Sequence, residues 1–299
     1  MMGACKFSHV GVLKGGSGSE REVSLRSGAA VADALRAAGL TVSELDIQDL
    51  GFTLPDGVEA VFPVLHGEMG EDGLVQHRLE ELGIPYVGSR SWEMPRSLDK
   101  EITHALLQVG AVPMAEWEMI EPGEKVSFTA PLVLKAPRQG SSIGLAIVFS
   151  EEEIPGALEE VRKFDPRILA EKFVEGTECT VGFLGDQVLP VIQIVPHSGN
   201  YDYEAKYLRN DTQYLCPAPY DAVQTEKLQS LALKAYKILG GRHLGRVDFR
   251  VDKNGNPFVL ELNTIPGFTA TSLLPKAAAA AGIDFQSLCV RILDQAEVV

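Results

Sequence analysis

The sequence predicts an α/β N-terminal domain followed by α+β domains. Two patterns carry this. The first ~90 residues alternate apolar runs with segments of helical spacing, which argues for a parallel sheet covered by helices. From Ser97 onward, short strands, hairpin signals and isolated helices replace that alternation. Composition agrees with a folded chain: 299 residues with 45% apolar and 23% charged side chains suit about two domains, with three small ones possible. Disorder, collagen and coiled coil are excluded as whole-chain descriptions, and no uncharged apolar run reaches the ~18 residues of a membrane helix.

In order, Phe7 to Lys14 reads as a buried strand ended by Gly15-Gly16-Ser17-Gly18. The charged Lys6, His9 and Lys14 within Met1 to Gly16 argue against a signal peptide. Glu20 to Ala38 has helical spacing at Val23, Ala30, Val31, Ala34 and Leu35 and stops at Gly39. Val42 to Ile47 and Val58 to Leu65 read as strands, Leu74 to Leu82 as a helix and Ile84 to Val87 as a short strand. Ligands on such sheets gather at the carboxyl ends of the strands. Two loops leave those ends, Gly15 to Glu20 and His66 to Gly73. A boundary falls near Ser89 to Pro95, dividing 1–92 from 93–176 and 177–299. Beyond it come a helix (Leu98 to Val109), strands at Met114 to Ile120, Leu132 to Lys135 and Leu145 to Phe149, a helix (Glu151 to Phe164) and a strand at Ile168 to Phe173. Thr177 to Val195 reads as two strands joined at Gly185-Asp186. Helices follow at about Ala222 to Leu239 and Phe285 to Ala296, with two strands between them. Pro196 to Pro219 has no sustained apolar period but holds four of the seven tyrosines, Tyr201, Tyr203, Tyr207 and Tyr214. A loop that long is expected to act as a lid.

Charge and cysteines bound the partners. The 27 basic and 41 acidic residues leave −14, and no basic face marks a nucleic-acid protein. Binding a phosphate then falls to local lysines, backbone amides or a metal. Cys5, Cys179, Cys216 and Cys289 form no C-x-x-C pair, which fits neither a zinc knuckle nor a disulfide framework and suggests a reducing cytoplasm.

Leu244 to Thr264 carries the chemistry. Asn254-Gly255 signals a hairpin. A two-residue loop pairs Asp248 with Glu261 and Arg246 with Asn263, all on one face, and sends Val247, Phe249, Val251, Phe258, Leu260 and Leu262 to the other. A three-residue loop would break this register. Opposed carboxylates repel unless a hard cation sits between them; two acids and an amide carbonyl suit magnesium that shares phosphate oxygens. The alternative is an exposed hairpin face whose arginine offsets two acids. Lys135 precedes a glycine-serine turn, Gly140-Ser141-Ser142-Ile143-Gly144, that offers amides and hydroxyls to phosphate. This is no Walker loop, and by default such a segment is only a turn. Lys100 reads as a surface charge, Glu171 and Glu178 as strand-end charges, with Glu178 alternatively a ribose acceptor. Gly15 to Gly18 opens a helix whose Glu20 could hold an ammonium, although acids there are also ordinary first-turn chemistry.

Together the stretches GGSGSEREVSLRSG, HGEMGEDG, PYVGS, LDK, LVLKAPRQGSSIG, EKFVEGTE, YDYEAKY, GRVDFRVD and LELNTIPGFTATSLLP make the chain resemble the D-alanine–D-alanine ligases of the ATP-grasp superfamily, in the family's order and over nearly the whole length. The resemblance implies an N-terminal substrate domain and two ATP-grasp domains that clamp ATP, with the lid at 196–219. It implies two magnesium ions, with manganese possible, on Asp248, Glu261 and Asn263. Lys100, Lys135, Ser142 and Lys206 would hold ATP phosphates, and Glu171, Lys172, Val174 and Glu178 would line the adenine and ribose pocket. Glu20 would hold the first D-alanine's ammonium, with His66 near its carboxylate. Arg246 and the Gly267 amide would stabilise the oxyanion, Ser272 and Leu273 would hold the second D-alanine, and Ser141 and Tyr207 would join Glu20 in a hydrogen-bonded set. The implied reaction converts ATP and two D-alanines to D-alanyl-D-alanine, ADP and phosphate through a D-alanyl phosphate, for peptidoglycan precursors. The implied assembly is a cytoplasmic homodimer with no membrane or nucleic-acid partner. Trp92 to Ser97, Asn200 and Thr271 depart from the usual pattern. The rivals are a D-alanine–D-lactate or D-alanine–D-serine ligase, against which Tyr207 argues, and a non-catalytic nucleotide-binding protein.

Overall fold

The computed structural model describes residues 5–18, 20–196, 212–269 and 271–299. The N-terminal part is the expected βαβ arrangement. Strand β1 (His9–Gly15), helix α1 (Arg21–Ala37), β2 (Thr41–Ile47) and β3 (Ala60–Pro63) form a parallel sheet in the order β2-β1-β3. Alternation along the strands sorts the core: Val10, Val12, Ala60 and Phe62 face one layer, Leu13 and Val61 the other. Helix α2 (Leu74–Glu81) covers the second layer. The segment expected as a strand at Ile84 to Val87 adds only isolated bridges, Tyr86 to Val61 and Tyr86 to Glu297. The chain leaves β1 for one neighbour and returns to the other, so the carboxyl ends of β1 and β3 open a crevice. Two fully buried serines, Ser24 and Ser27, lie on one face of α1. The Ser24 hydroxyl donates to the Val64 carbonyl (2.7 Å) and accepts the Gly15 amide (2.9 Å).

The middle of the chain is a second sheet. Strands β4 (Trp117–Ile120), β5 (Leu132–Lys135), β6 (Leu145–Val148) and β7 (Ile168–Lys172) pair antiparallel in the order β4-β7-β5-β6, backed by α5 (Ile154–Val161). Before them lie the short α3 (Pro95–Leu98) and α4 (Lys100–Val109), split by Asp99, whose carboxylate accepts the Glu101 amide and caps α4. The helix expected from Leu98 to Val109 therefore starts at Lys100, and Leu98 instead ends the separate α3.

The third sheet holds β8 (Gly176–Leu184), β9 (Gln187–Val188), β10 (Ile192–Val195), β11 (Gln213–Leu215), β12 (Leu244–Asp252) and β13 (Pro257–Asn263). Two corrections belong here. Thr177 to Val195 gives three strands, because the chain breaks at Leu189-Pro190 after β9. The presumed lid contains β11, where Tyr214 pairs with Ile194; residues 197–211, with Tyr201, Tyr203, Lys206 and Tyr207, lie outside the described residues. Helix α6 (Ala222–Ile238) packs on this sheet, where Phe183 and Tyr236 stack at 4.2 Å. Helix α7 (Leu273–Ala280) was not foreseen, and α8 (Phe285–Leu293) follows it. Both pack into the layer under β1 and α1, so the C-terminal helices share a core with the N-terminal sheet. Among the described residues no helix is long and apolar enough to cross a membrane.

Candidate active site

The β12–β13 hairpin decides the site. Arg246 pairs with Asn263 and Asp248 with Glu261, so these four side chains share one face as the sequence suggests. The reason differs from the expected one. Phe249 pairs with Val259 and Val251 with Pro257, a register one residue out of step with the site half. The turn is a three-residue loop: Gly255 has φ +78°, and the Asp252 carboxylate accepts the Asn254 and Asn256 amides at 2.8 Å each. A bulge at Leu260 restores the register before Glu261. It also exchanges the core residues. Val259 is buried under α6, whereas Leu260, expected in the core, lines the cleft beside Glu261.

Two adjoining cavities meet at this hairpin, of about 290 and 210 Å3, and Lys100, Gln139, Gly140 and Glu261 line both. The larger is mostly polar. Glu20, His66, Ser141, Arg246, Asn263, Gly267, Ser272 and Leu273 line it, as do Glu71 and Arg26. The smaller has apolar walls from Val133, Ile143, Ile147 and Leu260, with Lys135, Ser142, Glu171, Lys172, Val174, Glu178 and Asp248 around them. Every described residue singled out from the sequence thus borders one cavity or the other. Lys206 and Tyr207 lie outside the described residues.

In the larger cavity the Ser141 hydroxyl donates to Glu20 Oε1 across 121 residues of chain. Both Ser141 (φ +51°) and Ser142 (φ +62°) adopt the left-handed backbone that L-residues avoid, which costs on the order of 1 kcal/mol each and marks a turn shaped for a purpose. Gly67 (φ +69°) has the left-handed backbone that favours glycine, and a Cβ there would lie 2.8 Å from Glu20 Oε2. His66 donates from Nδ1 to the Ile265 carbonyl (2.9 Å), and its Nε2 lies 3.3 Å from Ser27 Oγ. Burial, with Arg246 nearby, pushes its ring down to about 4, so it is neutral at pH 7. Glu71 belongs to the His66 to Gly73 loop and has no role of its own in the sequence reading. Desolvation, then the Glu20 and Glu261 carboxylates, hold it well above the usual carboxylate range. Ser272 Oγ accepts the Thr269 amide (3.0 Å), which shapes the turn into α7.

At the hairpin, Arg246 forms a bidentate pair with Asp248, Nε to Oδ1 and Nη2 to Oδ2 at 2.8 Å each. Thr180 on β8 donates to Asp248 Oδ1 (2.6 Å). Arg246 lies two residues from Asp248 on the same strand face, as spacing suggests, but Thr180 could not be linked to Asp248 by spacing, because β8 lies some seventy residues upstream (|i−j| = 68). The buried Asn263 Oδ1 has no hydrogen-bond partner among the described residues. An orphaned amide oxygen beside two facing carboxylates fits a hard cation. No cluster of three His, Cys, Asp or Glu gathers among the described residues, so such an ion would take its other ligands from phosphate or water.

In the smaller cavity Glu171 is buried between two donors. Lys135 Nζ pairs with Oε2 and His104 Nε2 lies 2.6 Å from Oε1. Burial alone would raise its carboxyl, but Lys135 and His104 outweigh that and hold it at about 2. His104 escaped notice in the sequence because a lone histidine on α4 carries no motif. Its Nδ1 sits 2.6 Å from the Lys100 carbonyl. Lys100 Nζ donates to the Gln139 carbonyl (2.5 Å), and burial lowers its ammonium from the usual range.

The comparisons with known proteins agree along the whole chain. The family models of the D-ala D-ala ligase C-terminus and N-terminus match residues 106–294 and 51–89. The D-alanine–D-alanine ligase of Methylacidiphilum infernorum is 42% identical, over 96% of this chain and 94% of that one. A crystal structure of the D-alanine–D-alanine ligase from Bacillus anthracis superposes with TM-score 0.86 at 33% identity, covering 96% of this chain and 97% of that one. The same enzyme complexed with ATP gives 0.85 at 30%, with the same coverage. The chain therefore belongs to the D-alanine–D-alanine ligase family.

Proposed function

We propose that the joined cavities carry out the ATP-dependent ligation of two D-alanine molecules to D-alanyl-D-alanine, for peptidoglycan precursors, through a D-alanyl phosphate. The observation that supports this best is that Lys100 and Glu261 line both cavities. A phosphoryl group leaving the apolar nucleotide pocket would meet an amino-acid carboxylate in the polar one.

The chemistry needs that adjacency. A carboxylate acylates poorly because its leaving group would be oxide, and phosphorylation supplies a better one. Each step gathers negative charge, which positioned cations and amides stabilise. In this reading Lys100 and Lys135 hold phosphates beside the Ser141-Ser142 turn, and Glu171, Lys172, Val174 and Glu178 seat the base and ribose. Glu20 holds the first ammonium. Arg246 and the Gly267 amide face the developing oxyanion, and Ser272 and Leu273 receive the second D-alanine. Asp248, Glu261 and Asn263 would hold two magnesium or manganese ions, which supply charge neutralisation for the phosphate oxygens when bound. The reading includes a lid carrying Lys206 and Tyr207, a homodimer and a cytoplasmic setting. Free thiols at Cys5, Cys179, Cys216 and Cys289 support a reducing compartment.

The test is phosphate release from ATP with D-alanine, L-alanine, D-lactate or D-serine added. Release should depend on D-alanine and yield the dipeptide, with none from L-alanine. ATP binding without D-alanine-dependent release would overturn catalysis. An ester, or a mixed D-serine dipeptide, as the main product would reassign the second substrate.

A further inference from the structure

Ser27 is a fully buried polar group that the proposed chemistry leaves unused. It lies on α1 and faces the same way as Ser24 one turn earlier. Its hydroxyl accepts the Phe268 amide (3.1 Å) and lies 3.3 Å from His66 Nε2. His66 Nδ1 in turn lies 2.9 Å from the Ile265 carbonyl.

Donor and acceptor chemistry allows one arrangement of protons here. The Ile265 carbonyl can only accept, so Nδ1 carries hydrogen. A neutral ring then has a lone pair on Nε2, and Ser27 O–H must donate to it. The remaining serine lone pair takes the Phe268 N–H. The result is a closed ring of hydrogen bonds from Ile265 through His66 and Ser27 to Phe268, and it spans the two residues Pro266-Gly267. The N-terminal layer thereby grips a turn that leaves the last strand of the third sheet. Gly267 lines the larger cavity, and a Cβ there would come within 3.0 Å of Ser272 Oγ, so a small shift of this turn would disturb both groups.

The geometry points to Ser27 as a positioning residue: acting through His66, it fixes the Pro266-Gly267 turn so that the Gly267 amide faces the reacting centre. It touches no substrate. Phe268 is also held by its ring, packed against Phe62 at 5.6 Å, so the turn survives loss of the hydroxyl but is no longer fixed at its amide.

This inference rests on the larger cavity being the amino-acid site. The first measurement uses the unaltered protein: 15N spectra of the histidine rings at pH 7, with His66 identified by its loss in His66→Gln. The ring should be the neutral Nδ1–H tautomer; the Nε2–H tautomer or an imidazolium would overturn the proposal. The second is steady-state kinetics of Ser27→Ala with magnesium. We expect kcat for the dipeptide to fall ~10- to 100-fold while the KM for ATP stays within about twofold, because the nucleotide pocket is untouched. Unchanged kcat, or a rise in ATP KM with kcat intact, sinks it. Arg246→Ala run alongside separates the two failures: normal turnover there would discredit the cavity assignment itself, whereas collapsed turnover there with normal Ser27→Ala would discredit Ser27 alone.

Discussion

The two cavities each hold a desolvated glutamate, and the two titrate in opposite directions. Glu171 in the smaller cavity is held down at about 2, against the push of burial, by Lys135 and His104. Glu71 in the polar cavity is held well above the carboxylate range by desolvation and by facing Glu20 and Glu261. Loss of water acts the same way on both, so the neighbours decide the charge. In the smaller cavity the buried Glu171 is paired with Lys135 and His104. The polar cavity is crowded with acids, a setting that favours an ammonium group and accepts a cation.

Breaking the junction between them should have the largest effect. In Arg246→Ala, turnover should fall at least ~100-fold. Stability should also drop by about 3 kcal/mol, because Asp248 loses its bidentate partner while staying buried. The double variant Arg246→Ala/Asp248→Asn should recover most of the stability in urea unfolding and none of the turnover. Recovery of turnover in the double variant would show that the pair serves folding alone.

Glu171→Gln probes the nucleotide side. The KM for ATP should rise ~10-fold, with the KM values for D-alanine within about twofold. The pH effect has a definite sign. A depressed carboxyl adds stability that is complete above its ordinary 4.5 and disappears as pH falls toward 2, here about 3 kcal/mol. Unfolding curves between pH 5 and pH 3 should therefore fall more steeply for the unaltered protein than for the variant. Parallel curves would mean that Lys135 and His104 do not hold this carboxyl down.

The smallest effect is expected for Glu71→Gln. A raised carboxyl is favoured as the neutral form, so its contribution is present below 4.5 and lost as pH rises through its folded value. Metal-free unfolding at pH 7.5 should find the variant as stable as the parent or more so, with a flatter profile from pH 5. A loss beyond ~1 kcal/mol would place a stabilising cation next to Glu71 and remove the contrast between the cavities.

The hairpin shows how far residues alone carry the reading. Strand periodicity puts Arg246 and Asp248 on one face of β12, and Glu261 and Asn263 on one face of β13, because side chains alternate with period two. It failed at the turn, where Asp252 capping made a three-residue loop and the Leu260 bulge absorbed the extra residue. The two deviations cancel at the site, but Val259 and Leu260 trade places between core and cleft. The split of α3 from α4 and the helix α7, which begins Leu-Leu-Pro after Ser272, were likewise hidden by local signals too short to read.

Linear pattern alone determined the parallel N-terminal sheet, the same-face pairs Arg246–Asp248 and Glu261–Asn263 and the two loops at the strand ends, since each depends on spacing within a short window. Only the tertiary structure decided that His104 and Lys135 close on Glu171, that Thr180 steadies Asp248, and that Ser27 and His66 grip the turn at Gly267. Those contacts join segments 36 to 241 residues apart. Desolvation and pairing at such points exist only once the sheets and their shared core have brought the segments together.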